Sequence, residues 1–470
     1  MEKEFNITGI CRPAKHYMAD ISQKLDNTLN MVKRGYYFAI NRPRQYGKTT
    51  MLYTIASTLR KQGDYVVFNI SFEGVGDLVF TEESRFVKMF LELLEIQAEI
   101  FSPKLCPILA EEIKKVDSLK SLSRAITTLL EQAPLPVVLL IDEVDKSSNN
   151  QLFVSFLAML RNKYLEQDDI KTFHAVVLAG VHDVKTLKLK IRPDAEQKYN
   201  SPWNIASDFK VDMNLHPHEI KPMLDEYSND KGVKMDTHAI ADTLFYYTSG
   251  YPFLVSKLCK MLDEEIVKNG EWTTNDIELA VKQLVNEKNA NFDSLIKYLE
   301  NNQELYDAVH EVAIKNNFVP FSVHSPLIEL GSLLGIFVAG NGGGRVVIHN
   351  RIYTEVIVNY MTDKMRRAAL AHRNDLGSGY KNDDKTLNMV AVLLGFQTFM
   401  KKEYSKKDRD FLEKNGRLVF LAFLKPIINS NGYDFKEVQI SEEKRLDLVI
   451  TYLHQKFVAE LKLWYGAKAH

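Results

Sequence analysis

The chain has 470 residues, 60 basic and 61 acidic, and so a formal charge of −1. That length suggests roughly two to four domains, and 45% hydrophobic with 26% charged residues excludes global disorder. Near-neutrality excludes a whole-protein basic field of the kind that coats nucleic acid and leaves local basic surfaces open. Cys11, Cys106 and Cys259 lie far apart, with no CxxC pair, zinc spacing or disulfide framework, which fits a reducing cytoplasmic setting. The stretch Met1–Asn6 has no apolar run behind a basic start, so no secretory leader is expected. No apolar run approaches the ~20 residues of a membrane span, so no membrane partner is expected.

In chain order, Gly35–Ile40 reads as a buried strand, followed by a Gly-Lys-Thr turn and a helix over Thr49–Lys61 with Met51, Leu52, Ile55 and Leu59 on one side. Asp64–Ile70 is a second strand, and 84–98 and 108–132 have helical spacing. Pro136–Ile141 is a third strand, 151–165 a helix, Phe173–Ala179 a fourth strand and Phe209–Met213 a fifth. Strands alternating with helices predict an α/β class with a parallel sheet covered on both faces. From about 217 strands give way to helices at 217–230, 236–248, 252–268 and 274–289, broken sharply at Thr248-Ser-Gly-Tyr-Pro252. Helical stretches near 302–314 and 324–334, then Gly335–Ala339, a turn at 341–344 and Arg345–Ile348, have the outline of a winged helix. No basic cluster marks 302–334, which favours a packing role over DNA contact for this unit. Residues 372–386 are polar with two glycines and read as a linker. Beyond it, 387–430 is mostly helical, and Phe435–Ile440, Leu446–Tyr452 and Phe457–Leu463 are strand-like. The expected boundaries are 1–215 for the core, 216–292 for a helical lid, 293–370 for the winged-helix-like unit, 371–386 for the linker and 387–470 for the last unit.

The strongest chemical signal is Arg42-Pro43-Arg44-Gln45-Tyr46-Gly47-Lys48-Thr49-Thr50 between a strand and a helix. A phosphate bound there meets free backbone N–H groups and the positive end of the helix dipole. Gly47 leaves room for close approach, Lys48 reaches the outer phosphates and the Thr49 hydroxyl is suited to hold Mg²⁺. The spacing departs from GxxxxGK[ST] in one place, because Arg42 stands at the first glycine. Val137-Val-Leu-Leu-Ile-Asp142-Glu143 is the matching partner: an apolar strand ending in Asp142 for the Mg²⁺ shell and Glu143 for polarising an attacking water. At the end of the next strand, His182 or Asp183 either senses the γ-phosphate or simply closes a buried strand. Arg192 is either a phosphate contact in cis or a surface charge.

Together with Leu178-Ala-Gly-Val-His-Asp183 and Thr248-Ser-Gly-Tyr-Pro-Phe253, these motifs resemble the bacterial AAA-ATPase-like proteins over about 5–290. The resemblance makes Arg42 a family trait. Related STAND-type ATPases carry a Gly-x-Pro in the lid that contacts nucleotide, which implies such a role for Gly250 and Pro252. Family members commonly end in a PD-(D/E)xK nuclease-like domain. The C-terminal pattern fits that expectation: two adjacent antiparallel strands would bring Asp447, Glu460 and Lys462 to one end of a small sheet. Glu460 and Lys462 would then share one strand face. There Asp447 and Glu460 would hold Mg²⁺ on a scissile phosphate and Lys462 would position water, with Glu413 as a further ligand. Phe420–Ile428 and Arg445-Leu-Asp447 resemble the same nuclease family. A nuclease of this class continues with a helix and a further strand, so the pattern predicts a domain cut short at His470. Residues 381–470 carry a small basic excess, compatible with DNA.

Two functions are therefore expected as alternatives. In the first, Mg²⁺-dependent ATP hydrolysis gates a DNA-directed nuclease-like unit. In the second, ATP only stabilises a closed conformer and the C-terminal region binds nucleic acid or protein. Glu143 is the residue that argues for hydrolysis. Association with a second copy or another protein is open in both.

Overall fold

The computed structural model describes residues 2–144, 151–180, 203, 205–267, 270–314, 317–340, 342–369, 380–384, 386–403, 419–421, 423–424, 427–428, 448–452 and 455–459. It divides into two compact units. The first comprises the chain up to Phe245 with Ser249–Thr273 and Leu333–Gly335; the second comprises Tyr246–Thr248, Thr274–Ser332 and the chain from Ile336 onward.

The first unit is built on a sheet of four parallel strands: β1 (Tyr37–Asn41), β2 (Val66–Ser71), β3 (Val137–Asp142) and β4 (Ala175–Gly180), in the order β1-β4-β3-β2. This is the expected α/β class. Every residue of β3 and β4 is buried, as a strand covered on both faces requires. Helices α1 (Ser22–Lys33) and α2 (Lys48–Gln62) precede and follow β1. Helix α3 (Glu83–Phe101) follows β2, and α6 (Gln151–Leu165) follows β3. One sheet face, including Phe68, Leu139 and Val176, packs with Phe86 and Phe90 of α3 and Phe156 and Leu160 of α6. Met51, Leu52, Ile55 and Leu59 form the buried stripe of α2.

Three expectations are corrected here. The helical stretch 108–132 is two helices, α4 (Cys106–Lys115) and α5 (Leu119–Gln132). Ser118 ends the continuity by capping α5, its hydroxyl accepting from the Ser121 amide, an exchange that satisfies the first-turn donors. The fifth strand at Phe209–Met213 is absent. One parallel bridge, Ser207 to Phe38, stands at the outer edge of β1, and the Val211 carbonyl is taken by the Arg42 side chain in place of a ladder partner. Strands also do not vanish after 217, since Lys234–Met235 and Glu271–Trp272 pair in parallel. Helices α7 (Pro217–Lys231), α8 (Thr237–Thr248) and α9 (Pro252–Met261) lie around that pair in sequence.

In the second unit, helices Thr274–Val285, Ala290–Asn301, Gln303–Ala313 and Pro326–Leu333 precede an antiparallel hairpin of Phe337–Ala339 with Val346–Ile348. Helix Arg351–Ala369 follows. Lys381 and Leu387 pair through an isolated antiparallel bridge. Helix Met389–Glu403 comes next, with Phe396 packed on Phe399, Phe420 and Phe423. Leu448–Tyr452 and Gln455–Ala459 are antiparallel, the pairing expected of the last two strands. Asp447, Glu460, Lys462 and Glu413 lie outside the described residues, as does the whole of Phe435–Ile440. Among the described residues no helix is long and apolar enough to cross a membrane.

Candidate functional site

The loop between β1 and α2 turns twice through left-handed backbone, at Gln45 (φ 57°) and Gly47 (φ 78°). A side chain at Gly47 would be strained there, which is the physical reason for glycine next to the lysine. The turn makes Gly47 the N-cap of α2 and leaves the first amides of that helix turned toward the loop. Lys48 is buried, and its amine donates to the carbonyls of Arg42 (3.0 Å) and Pro43 (2.8 Å).

Arg42 has a different task from its neighbours. Its guanidinium donates to the carbonyls of Asn41 (2.8 Å) and Val211 (2.9 Å) and lies over the Phe209 ring, and its amide donates to Gly180 at the end of β4. Burial pulls its pKa below the ordinary arginine value. At the first-glycine position, then, stands an anchor that fixes the loop to the edge segment. Arg44 and Gln45 are exposed, whereas Tyr46 is only 4% exposed. Thr50 faces away from the loop, its hydroxyl accepting the Cys11 amide at 3.1 Å.

Asp142 ends β3 and Glu143 follows it, two strands from β1, with β4 between. What closes that gap is α2: the Thr49 hydroxyl hydrogen-bonds the Asp142 carboxylate, so the first turn of α2 lies over the end of β4. Asp142 is 4% exposed and also accepts the Glu143 amide at 2.9 Å. Burial raises its pKa above the ordinary carboxylate value, against the Thr49 and Glu143 hydrogen bonds and the Lys48 charge, which lower it. An all-oxygen pair of hydroxyl and buried carboxylate suits a hard divalent cation such as Mg²⁺. Glu143 holds φ 54° although it has a full side chain. Left-handed backbone at a non-glycine residue costs on the order of 1 kcal/mol, and such residues concentrate where a side chain must be aimed.

The break expected at 248–252 is also built for close approach. Gly250 (φ 75°) exchanges contact with Leu215: its carbonyl accepts the Leu215 amide at 2.7 Å, and a Cβ there would stand 2.4 Å from the Leu215 oxygen. Pro252 is the first residue of α9, where its fixed φ suits a helix start. The residue between them is the one that reaches the loop, since the Tyr251 hydroxyl donates to the Arg44 carbonyl at 2.6 Å. The structure thus brings Lys48, Thr49, Asp142 and Glu143 together and places Arg42 and Thr50 on other partners. His182, Asp183 and Arg192 lie outside the described residues. Sequence reasoning passed over Tyr251, Asn214 and the segment around Cys11. A tyrosine between Gly250 and Pro252 was the available signal.

Compared with known proteins, residues 13–354 match the AAA-like domain family. No curated protein matches the chain. Among solved structures, a Walker-type ATPase of Pyrococcus abyssi is similar at 12% identity and a TM-score of 0.51, over 75% of this chain and 99% of that one. Less similar are the ORC2 protein of Aeropyrum pernix (14%, TM-score 0.43, 77% and 98%) and the RuvB branch-migration motor of Thermotoga maritima (14%, TM-score 0.36, 76% and 97%). At such identities the first likeness speaks to the fold.

Proposed function

Because the chain belongs to the AAA-like family, we propose that it binds ATP with Mg²⁺ and hydrolyses it at the loop of residues 42–49. The observation that carries this is the meeting of Thr49 with buried Asp142 beside Lys48, with Glu143 aimed by left-handed backbone. The phosphates would rest on the N-terminal amides of α2. Lys48 would leave the Arg42 and Pro43 carbonyls and take the outer phosphate oxygens, where positive charge offsets what builds up as the phosphoryl group transfers. Glu143 would accept a hydrogen bond from the attacking water. The water oxygen bonds to the γ-phosphorus as the bond to the β–γ bridging oxygen breaks, the proton lost by the water passes to the Glu143 carboxylate, and ADP and phosphate depart. Thr49 and Asp142 would hold Mg²⁺, whose chemistry here is charge neutralisation across the phosphates. Titration calorimetry with ATP and Mg²⁺ tests this: wild type binds, and Lys48→Ala weakens binding at least about 100-fold, the loss of a charge-assisted contact. Wild-type protein that binds no ATP would refute the proposal.

For the second unit we propose a winged-helix-like fold at 293–370 and, at 387–470, a nuclease-like, DNA-directed region under the control of the ATPase. The antiparallel pairing of Leu448–Tyr452 with Gln455–Ala459 supports the latter, together with the carboxylate pattern of Asp447, Glu460 and Lys462. Incubating linear DNA with Mg²⁺ and either wild type or Glu460→Ala tests it. Cleavage by wild type alone is expected, and equal cleavage by both would remove the assignment. Free cysteines at 11, 106 and 259 accord with a cytoplasmic protein, the setting we propose.

A further inference from the structure

Two buried tyrosines join the phosphate loop to the segment that leads into α7, and neither has been given a task above. Tyr46, in the loop, donates its hydroxyl to the Asn214 side chain. Tyr251 donates to the Arg44 carbonyl at 2.6 Å, and the two rings meet edge to face with centroids 4.6 Å apart. Tyr46 and Tyr251 are 4% and 1% exposed, so both hydroxyls act out of water, where an unmade hydrogen bond is costly. The other end of the connection is equally closed. Leu215 binds Gly250 backbone to backbone at 2.7 Å, one residue from each tyrosine's partner or neighbour. Lys24 of α1 donates to the Asn214 carbonyl and to Glu219, and Glu219 in turn accepts the His216 amide at 2.7 Å.

We propose that Tyr251 is a positioning residue for the phosphate loop, and that with Tyr46 and Asn214 it makes the loop's shape and the seating of residues 214–220 a single coupled element. The coupling centres on Lys48. In the present arrangement that amine directs two of its three donors to the Arg42 and Pro43 carbonyls, and in the ATP-binding reading above it turns from them toward the phosphate oxygens. The bond from Tyr251 to the next carbonyl, Arg44, is not given up in that movement. It keeps the loop in register while the lysine turns, and a shift of the loop is passed through Tyr46 to Asn214 and thence to the start of α7. The inference rests on ATP being the ligand of the loop, as proposed above.

The test uses the full chain and ATP with Mg²⁺. Tyr251→Phe keeps the ring and removes the one hydroxyl, and Tyr46→Phe does the same for the Asn214 contact. Each is expected to raise the Kd for ATP by about 5- to 10-fold, the range for a net hydrogen bond, with the double variant little weaker than the weaker single one. Hydrogen exchange at 215–220 should slow on adding ATP in wild type and respond less in Tyr251→Phe, a readout that a purely packing role would leave unchanged. Wild-type binding with an unaltered Kd in Tyr251→Phe overturns this inference alone. Strictly additive variants overturn the coupling. No binding by wild type overturns the ATP proposal and this one with it.

Discussion

Two strands of the molecule run into acidic residues, β3 into Asp142-Glu143 and Gln455–Ala459 into Glu460, and they differ in what surrounds them. All six residues of β3 are buried, between β2 and β4 with helices on the sheet faces. Gln455–Ala459 alternates half-buried and exposed residues, and Val458 is 53% exposed. A strand covered on both faces has one register and one end, so the carboxylates that follow it are aimed by the whole sheet. An alternating strand commits one face only, and its identity depends on what that face meets. A strand that ends at a carboxylate therefore carries much more information in the first unit than in the second.

The contrast can be broken first at the chemistry. Glu143→Gln keeps the geometry at the end of β3 and removes the charge, so ATP binding is expected to persist while turnover falls about 100-fold or more, the usual weight of a positioned acid–base group. Steady-state phosphate release set against calorimetric affinity measures both. Turnover near the wild-type rate would move the assignment away from β3 and toward a switch that only binds. Next comes packing. Leu139→Ala in β3 should destabilise by about 2–5 kcal/mol, as large-to-small changes in closed cores do. Val458→Ala should stay within about 0.5 kcal/mol. Urea denaturation followed by circular dichroism compares them, and equal losses would show that the second strand is as enclosed as the first.

The same physics decides what could be read in advance. The four parallel strands were legible because continuous apolar runs such as Val137–Ile141 need burial on both faces. The phosphate loop was legible because Gly47, Lys48 and Thr49 act within one turn of each other. Two smaller features were not. The break at Val116-Asp-Ser118 was hidden by helical spacing on either side, although Ser118 is a capping residue. Phe209–Met213 has strand-like alternation, yet the Arg42 side chain competes for its Val211 carbonyl, a contact set by residues 169 positions apart. Tyr251 meets Arg44 across 207 positions, and no local pattern announces such a pair. The Asp142–Thr49 contact is of the same long-range kind, but a known motif pairing stands in for the missing geometry.

A subtler, pH-dependent effect separates the two roles of Asp142, structural and chemical. Burial holds its folded-state pKa above the ordinary value of 3.8, so the folded, ligand-free chain takes up a proton more readily than the unfolded chain. Stability from this group is therefore present at low pH, declines as pH rises from about the ordinary carboxylate range through the raised pKa, and stays lower at neutrality. Asp142→Asn, which never ionises, should raise the melting temperature at neutral pH relative to wild type. The gain should vanish in acid, where the wild-type carboxyl is neutral too. Adding ATP with Mg²⁺ should reverse the order, because the wild-type carboxylate then has a cation to meet and the amide does not. A gain that is the same at every pH would mean that the substitution acts through packing. A loss at neutral pH would mean that Thr49, the Glu143 amide and Lys48 already outweigh the burial of the charge.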